Sequence, residues 1–196
     1  MTRQAPFTPI TIDIFRQLPE GPPYYELIEG KLIMSPSPNF YHQKIAGRLF
    51  FHIEGYLQDH PIGDVTISPS DVCLDVKNAY QPDLYFISKE RLSIIQKQGP
   101  EGAPDLVVEV LSESTLDRDR TEKLAVYARA GVQEMWIVDP VAHSIEVRAL
   151  AQGIDAMPCI IREPDPFSPA MFPGLRIDTI KLFKPVSSFI SPASGE

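Results

Sequence analysis

The chain has 196 residues, of which 43% are hydrophobic and 22% charged; this excludes a disordered chain and predicts a single domain over residues 1–196. No apolar run approaches the roughly 20 residues of a membrane-spanning helix, and residues 1–9 contain no apolar segment typical of a signal peptide. The net charge of −8, without a readable basic patch, argues against extended contacts with a nucleic-acid backbone unless bound cations cancel it.

The first third of the chain predicts a lead-in, a β-hairpin and a helix. Residues 1–23 are the lead-in, with a short helix around residues 11–18. Residues 24–34 form two apolar-rich stretches around a Glu29-Gly30 turn, which indicates a hairpin. Asn39 is a favourable N-cap for a helix that buries one face, because apolar residues follow at helical spacing. That face carries Ile45, Leu49, His52, Ile53 and Tyr56.

The middle of the chain predicts three strands and a helical segment. Residues 64–74 are typical of a strand interrupted at residues 68–70, and residues 83–87 form a short strand. Residues 88–104 form a charged helical segment and then a loop rich in glycine and proline. Residues 106–111 are apolar enough for a fully buried strand.

The C-terminal part predicts one helix and two pairs of strands. A helix over residues 118–130 ends at Gly131, and a hairpin of residues 134–138 and 145–150 follows. The proline-rich remainder contains a further strand pair, residues 159–162 and 176–179, and then a flexible tail over residues 186–196. This order predicts a mixed α/β fold around a central sheet.

The cysteines and histidines are scattered along the sequence. Cys73 and Cys159 form neither a CxxC pair nor a dense disulfide framework, which is typical of a protein of the reducing cytoplasm. The four histidines lack the spacing of a zinc site.

Glu109 is the most informative residue, because it lies inside the apolar run of residues 106–111. A carboxylate buried in a strand is unfavourable unless it is paired or binds a metal ion. Glu109 could instead lie at the exposed end of an edge strand, but its neighbours on both faces are apolar. The sequence therefore favours a functional carboxylate.

A second carboxylate is needed to hold a divalent cation, and Asp83 and Asp105 both follow a proline. Asp105 precedes Glu109 by four residues in the same strand, so the two lie roughly 13 Å apart, too far for one metal ion. Asp83 begins a different strand that can lie beside Glu109. We therefore choose Asp83, although it could be an ordinary turn acid, and we expect Asp105 to be solvated.

Lys123 is the third candidate. Its position on the helix is at the border of the apolar face, from which its side chain can turn inward. The spacing alone slightly favours an ordinary surface lysine.

Several motifs, taken together, resemble one protein family. They are residues 25–36, His42, residues 82–86, residues 104–115, Asp117, Lys123, Tyr127, residues 131–140 and residues 173–183. In this order they resemble the bacterial Uma-two family of endonucleases, within the PD-(D/E)XK nuclease superfamily. Each motif is weak alone, but the ordered set is specific and covers roughly residues 7–185.

The resemblance implies a restriction-endonuclease-like core, in which helices flank a central mixed sheet. The acidic metal ligands correspond to Asp83 and Glu109. The superfamily's general pattern has a lysine two residues after the second acid, where this chain has Leu111. The resemblance suggests that Lys123, in the next helix, takes its place.

Glu26 and His42 also match family positions near the site. Glu26 would be an additional carboxylate beside the metal ion, or else one member of a surface pair across two strands. His42 would be catalytic, or else a buried histidine with satisfied hydrogen bonds, and His52 belongs to the core. Tyr127 and Trp136 are expected to serve packing.

The implied activity is metal-dependent hydrolysis of phosphodiester bonds in nucleic acid, with DNA as the expected substrate. Asp83, Glu109 and the backbone carbonyl of Val110 would hold Mg²⁺ or Mn²⁺. Lys123 would orient the attacking water or stabilise charge on the phosphate. By family analogy the chain would form a homodimer.

Two other classes of protein stay open. One is a catalytically inactive homodimeric or regulatory module of the same fold, which the acidic charge favours and which does not require Asp83, Glu109 and Lys123 to converge. The other is a hydrolase that uses its carboxylates as acid and base, as glycosidases do, but this leaves Lys123 unexplained.

Overall fold

The computed structural model describes residues 8–19, 21–35, 37–112 and 119–185. The predicted tail over residues 186–196, Asp117 and the start of the helix predicted from residue 118 lie outside the described residues or at their limit. Four α-helices are described: α1 (Ile12–Phe15), α2 (Phe40–Asp59), α3 (Leu124–Ala130) and α4 (Thr179–Leu182). The described strands, in chain order, are β1 (Tyr25–Ile28), β2 (Lys31–Met34), β3 (Gly63–Ile67), β4 (Val72–Asp75), β5 (Asn78–Tyr80), β6 (Leu84–Ser88), β7 (Ile95–Gln96), β8 (Gly99–Pro100), β9 (Leu106–Val110), β10 (Glu134–Asp139), β11 (Ser144–Arg148) and β12 (Cys159–Arg162). Shorter helical segments are the 3₁₀ segments Lys89–Ile94 and Leu150–Gln152 and the π-helical segment Asp119–Lys123.

A mixed central sheet organises the fold, in the order β12-β11-β10-β9-β6-β3. β9 and β10 are parallel, whereas the other neighbouring strands are antiparallel. The parallel pair needs a crossover, and α3 lies in the connection between these two strands. Strand β9 is buried at every position, which agrees with its continuous apolar run.

The two faces of the central sheet pack against different helices. On one face α2 contributes Ile45, Leu49 and Ile53, all 0% exposed, to a core that includes Val108. On the other face α3 contributes Tyr127 to a second core. Because side chains alternate along a strand, β9 supplies both cores, and Glu109 faces the same side as Val107, toward α3.

A smaller sheet, in the order β2-β1-β5-β4, lies beside the central one. Its β1–β2 hairpin turns at Glu29 (φ 47°) and Gly30 (φ 76°), both in the left-handed region that tight hairpin turns require. β1 also pairs with β5, which holds the hairpin against the remainder of the chain.

Most of the predicted elements are confirmed. The hairpin around Glu29-Gly30, the helix capped by Asn39, the break at residues 68–70 and the strand over residues 106–110 all occur. Gly131 ends α3 with φ 97°, and β10 and β11 form the predicted hairpin. Among the described residues no helix combines the length and apolar character needed to cross a membrane.

Several predictions were wrong or incomplete. The tail does not contain the expected strand pair, because β12 pairs with β11 while Ile177 forms an isolated bridge with Phe167. Part of the loop expected before residue 104 is the short hairpin β7–β8. β5 was not predicted, and β3 and β4 belong to different sheets. His52 is half-buried rather than part of the core.

Asp105 is also a correction, because it is buried rather than solvated, with 3% of its surface exposed. Its carboxylate accepts hydrogen bonds from the backbone N–H of Ser88 at 2.7 Å, from Arg91 at 2.9 Å and from Gln133 at 2.6 Å. These donors come from two separate segments of the chain, the stretch around the end of β6 that carries Ser88 and Arg91, and the turn before β10 that carries Gln133. They satisfy a carboxylate that would otherwise be unfavourable in the interior.

Candidate functional site

The candidate site lies in a cavity of about 770 Å³ at the carboxyl end of β9. The residues that the sequence singled out come from several elements, namely β1, the start of α2, the entry to β6, β9 and the segment before α3. The structure brings all of them to this cavity. Its walls include Glu26, His42, Asp83, Glu109, Val110 and Lys123.

Asp83 directly precedes β6, and Glu109 lies in β9, the antiparallel neighbour of β6. The register pairs Leu84 with Val108, so one step further Asp83 lies opposite Glu109 on the same face. The Oδ2 atom of Asp83 accepts a hydrogen bond from the backbone N–H of Val110 at 2.7 Å. Asp83 therefore extends the pairing of the two strands with its side chain.

Lys123 is buried between two carboxylates. Its Nζ atom lies 3.0 Å from Oε1 of Glu109 and 3.2 Å from Oε1 of Glu26, and only 4% of its side chain is exposed. It closes the π-helical segment Asp119–Lys123, directly before α3. The Lys123 side chain, at the border of the apolar face of the helix, points inward. The alternative of an ordinary surface lysine is therefore excluded.

Glu26 is likewise buried, with 2% of its surface exposed. Its Oε1 atom also accepts a hydrogen bond from the backbone N–H of Gln81 at 3.2 Å. Its partner across the hairpin is Ile33, so the alternative of a surface charge pair across the strands is excluded.

His42 approaches the site from the opposite face of the sheet. Its Nε2 atom lies 2.8 Å from the carbonyl oxygen of Val110 and 3.2 Å from Oδ2 of Asp83. Because a carbonyl oxygen only accepts hydrogen bonds, this contact places the proton on Nε2. The N-cap Asn39 accepts a hydrogen bond from the backbone N–H of His42 at 2.9 Å, which fixes the first turn of α2.

Tyr127 was expected to serve packing, and it also contacts the site. Its hydroxyl donates to Oε1 of Glu109 at 2.7 Å, and the side chain is fully buried. Burial, and then the negative charges of Glu109 and Glu26, raise the pKa of Tyr127 well above its ordinary value, so the hydroxyl keeps its proton. The available signal was its spacing of four residues from Lys123, which places both side chains on one face.

The donor chemistry fits a hard divalent cation held partly by the protein. The three carboxylates and one lysine named above give the site a net formal charge of −2 when His42 is neutral. Within the described residues no cluster of three or more His, Cys, Asp or Glu side chains has the geometry of a metal cage. The carboxylates of Asp83 and Glu109 and the backbone carbonyl of Val110 offer oxygen donors in the cavity wall, and oxygen ligands of this kind suit Mg²⁺ and Mn²⁺. The Val110 carbonyl has a second lone pair beside the one that accepts from His42.

The fold has a counterpart among known proteins. The crystal structure of a putative nuclease belonging to DUF820, from Anabaena variabilis ATCC 29413, matches with a TM-score of 0.73. The two chains are 24% identical over 89% of this chain and 98% of that one, and the likeness shows the restriction-endonuclease-like fold. A search of the curated proteins found no match.

The fold thus places the chain in the structural class of mixed α/β proteins to which that crystal structure belongs. A family model, Uma2, described as "Putative restriction endonuclease", matches residues 12–180. The chain belongs to this family, as the ordered motifs predicted.

Proposed function

We propose that this protein is a metal-dependent endonuclease that hydrolyses phosphodiester bonds of nucleic acid, with DNA as its substrate. One observation carries the proposal. Asp83, Glu109 and Lys123 come from three separate parts of the chain and meet in one cavity, in a family described as restriction endonucleases. A purely structural module of the same fold has no need of this convergence.

In this proposal Asp83, Glu109 and the Val110 carbonyl hold Mg²⁺ or Mn²⁺. The bound ion supplies Lewis-acid chemistry, since it polarises the scissile phosphate and lowers the pKa of a bound water. Lys123 donates from Nζ toward the reacting phosphate and stabilises the negative charge that develops there.

The surrounding residues position these groups. Glu26 and Glu109 hold the Lys123 ammonium from two sides, at 3.2 and 3.0 Å, so its direction is fixed before substrate arrives. His42 contacts both Asp83 and the Val110 carbonyl and so holds these two oxygens in place. Buried charges that are paired in this way are also protected from the full penalty of desolvation.

The second candidate is an inactive homodimeric or regulatory module, and the net charge of −8 favours it. A homodimer is compatible with either function, and we propose it by family analogy. Light scattering on the purified chain gives the oligomeric state directly. Activity and metal binding separate the two functions.

The test is a cleavage assay on linear, supercoiled and single-stranded DNA, with Mg²⁺, with Mn²⁺ and with a chelator. Wild type is compared with Glu109→Gln and Lys123→Met. The matched controls are Glu90→Gln and Lys31→Met, because both positions are exposed and lie away from the cavity. We expect metal-dependent cutting that both site variants lose and both controls keep.

Metal binding is measured on the same proteins by calorimetry with Mn²⁺, and circular dichroism establishes that each variant is folded. Glu109→Gln should lose the binding signal, whereas Lys123→Met should keep it, because lysine is not a ligand. A folded wild type that does not cut DNA favours the inactive module. Cutting that survives in both site variants contradicts the assignment of the site.

A further inference from the structure

A second cavity of about 740 Å³ adjoins the candidate site. The two cavities share Tyr24, Pro69 and Gln81 in their walls. Gln81 connects them directly, because its backbone N–H donates to Glu26 and its side-chain amide donates to Oδ1 of Asp71 at 2.6 Å. Any group held in the second cavity is therefore next to the groups proposed to act on the phosphate.

The β7–β8 hairpin encloses this second cavity from outside. Its Gly99 packs against the backbone of Asp71 so closely that a Cβ atom would lie 2.1 Å from the Asp71 carbonyl oxygen. With φ 120°, Gly99 also has a conformation that other residues rarely adopt. Only glycine allows the hairpin to approach the Asp71 backbone this closely, so the position of this wall of the cavity depends on Gly99.

The lining combines flat apolar surfaces with a few polar groups. Tyr24, Tyr25 and Phe15 contribute aromatic residues to the lining, and Tyr24 is 39% exposed. Arg16 and Lys97 balance Asp71 and Glu101, so the charged lining is neutral in an otherwise acidic chain. Rings beside a small number of hydrogen-bonding groups are how proteins bind unstacked nucleobases.

Asp71 supplies a partly buried acceptor in this lining, beside Gln81 at the boundary with the candidate site. Burial, with a smaller contribution from the charge of Glu26, raises the pKa of its carboxyl group. A ligand that donates hydrogen bonds to the carboxylate would offset this cost of burial. A carboxylate accepts hydrogen bonds from amino groups, but it has no hydrogen to donate to a carbonyl oxygen.

We propose that the second cavity binds an unpaired nucleobase of the substrate strand, beside the phosphate at the Asp83–Glu109 site. The inference rests on the proposed function and narrows it, since the substrate is then single-stranded or locally unpaired nucleic acid. Asp71 favours bases with an exocyclic amino group, namely adenine, cytosine and guanine, over thymine and uracil, whose N3–H donor is flanked by two carbonyl oxygens that a carboxylate repels.

The two free cysteines allow a direct test by alkylation, because Cys73 lines the second cavity and Cys159 lies on the exposed strand β12. Burial raises the pKa of the Cys73 thiol, so the reaction is run at alkaline pH. The full chain is treated with iodoacetamide, and modification of each cysteine is followed by peptide mass spectrometry. The probes are dAMP and dTMP, which contain no phosphodiester bond to be cut, and then oligo-dA as a single strand, as its RNA equivalent and paired with oligo-dT.

We expect dAMP and single-stranded oligo-dA to slow alkylation of Cys73 roughly tenfold when the cavity is occupied about nine-tenths of the time. Cys159 should react at an unchanged rate. dTMP should protect Cys73 less, and the fully paired duplex should not protect it. Protection by the RNA strand as well as the DNA strand would support recognition of the base and show that the sugar is not selected.

Variants separate base binding from indirect effects. Asp71→Asn should remove the preference for dAMP over dTMP, and Tyr24→Ala should weaken protection by both. Asp64→Asn is the matched control, because this exposed aspartate lines neither cavity. Retention of the dAMP preference in Asp71→Asn overturns the role of Asp71.

The outcomes distinguish this inference from the proposed function. Protection of Cys73 by a protein that never cuts DNA supports the base-binding cavity and contradicts the nuclease. DNA cutting without any protection keeps the nuclease and overturns the cavity. Equal protection of Cys73 by duplex and single strand also overturns it, because a paired base cannot enter.

Discussion

A single oxygen atom illustrates how this site is built at the scale of residues. Oε1 of Glu109 accepts hydrogen bonds from the Lys123 ammonium at 3.0 Å and from the Tyr127 hydroxyl at 2.7 Å. The ammonium balances the charge of the carboxylate, and the hydroxyl adds a donor without adding charge. Hydrogen bonds to an ionised acceptor are stronger than neutral ones, so both contacts contribute to keeping this carboxylate charged in the core.

Removing the Tyr127 hydroxyl should therefore destabilise the fold. We expect Tyr127→Phe to lower the free energy of unfolding by about 1.5–3 kcal/mol, the range for a hydrogen bond to a charged group. Urea denaturation followed by circular dichroism measures the change. Tyr56→Phe is the control, because its hydroxyl donates to the Pro173 carbonyl at an exposed position. Equal losses of unfolding free energy in the two variants would mean that the hydrogen bond from Tyr127 to Glu109 contributes no more than an ordinary exposed one.

At the scale of elements, Asp105 fastens segments that are distant in sequence. It joins the end of β6, the 3₁₀ segment Lys89–Ile94 and the turn before β10 through the three donors described above. Asp105→Ala leaves the Ser88 N–H and the Gln133 amide without their acceptor, whereas Arg91 is partly exposed to solvent, so we expect a loss of about 1–3 kcal/mol in unfolding free energy. Thermal and urea unfolding test this, with the exposed Asp64→Ala as control. A loss below about 1 kcal/mol would contradict the fastening role.

The start of α2 allows a second test at this scale. The Asn39 side chain caps the helix beside His42. Asn39→Ala should lower the free energy of unfolding by about 1 kcal/mol, while Asn39→Asp should keep most of the stability because aspartate also caps helices well. Chemical denaturation of both variants decides the matter. If the two lose the same amount, the contribution of Asn39 is not its side-chain acceptor.

The local elements were predictable because their signals are local. The turn at Glu29-Gly30, the cap at Asn39 and the apolar run around Glu109 each lie within a few consecutive residues. Pairing between distant segments has no such signal, so the tail strand β12 was assigned the wrong partner. The prediction of a solvated Asp105 was wrong for the same reason, since only the fold brings its three donors close to it.

The candidate site was predictable only in part. An acid inside an apolar strand identified Glu109, and the geometry of a strand separated Asp83 from Asp105. Helical spacing left Lys123 undecided between a buried and a surface position, and the structure shows it buried. No local sequence pattern indicated the second cavity, because its walls come from the lead-in, β4 and the β7–β8 hairpin, which are distant in sequence. The metal-binding and catalytic roles of the named residues stay predictions, as does the assignment of residues 1–196 to one domain.

At the scale of the whole molecule, the acidic charge limits how nucleic acid can be bound. The chain has 26 acidic and 18 basic side chains, and a protein that follows a duplex over many phosphates is usually basic. In the proposals made above, a substrate would be held by one base, one phosphate beside Asp83 and Glu109, and few other contacts, which would avoid most of this repulsion. The charge of −8 is then compatible with a nuclease that acts on a short unpaired segment.

This balance of charge predicts a weak dependence of binding on salt. Each phosphate neutralised on a single strand contributes about −0.7 to the slope of log K against log salt concentration, so contacts to one to three phosphates give a slope between about −0.7 and −2. Fluorescence anisotropy of a labelled single strand measures it, in constant Mn²⁺ and varied KCl, with the Lys123→Met variant, which is expected to leave the strand uncut. Removing Mn²⁺ should weaken binding at every salt concentration, because the uncompensated carboxylates then face the phosphate. A slope steeper than about −5 would indicate a long basic track that the charge distribution does not suggest, and the substrate would have to be reassigned to extended nucleic acid.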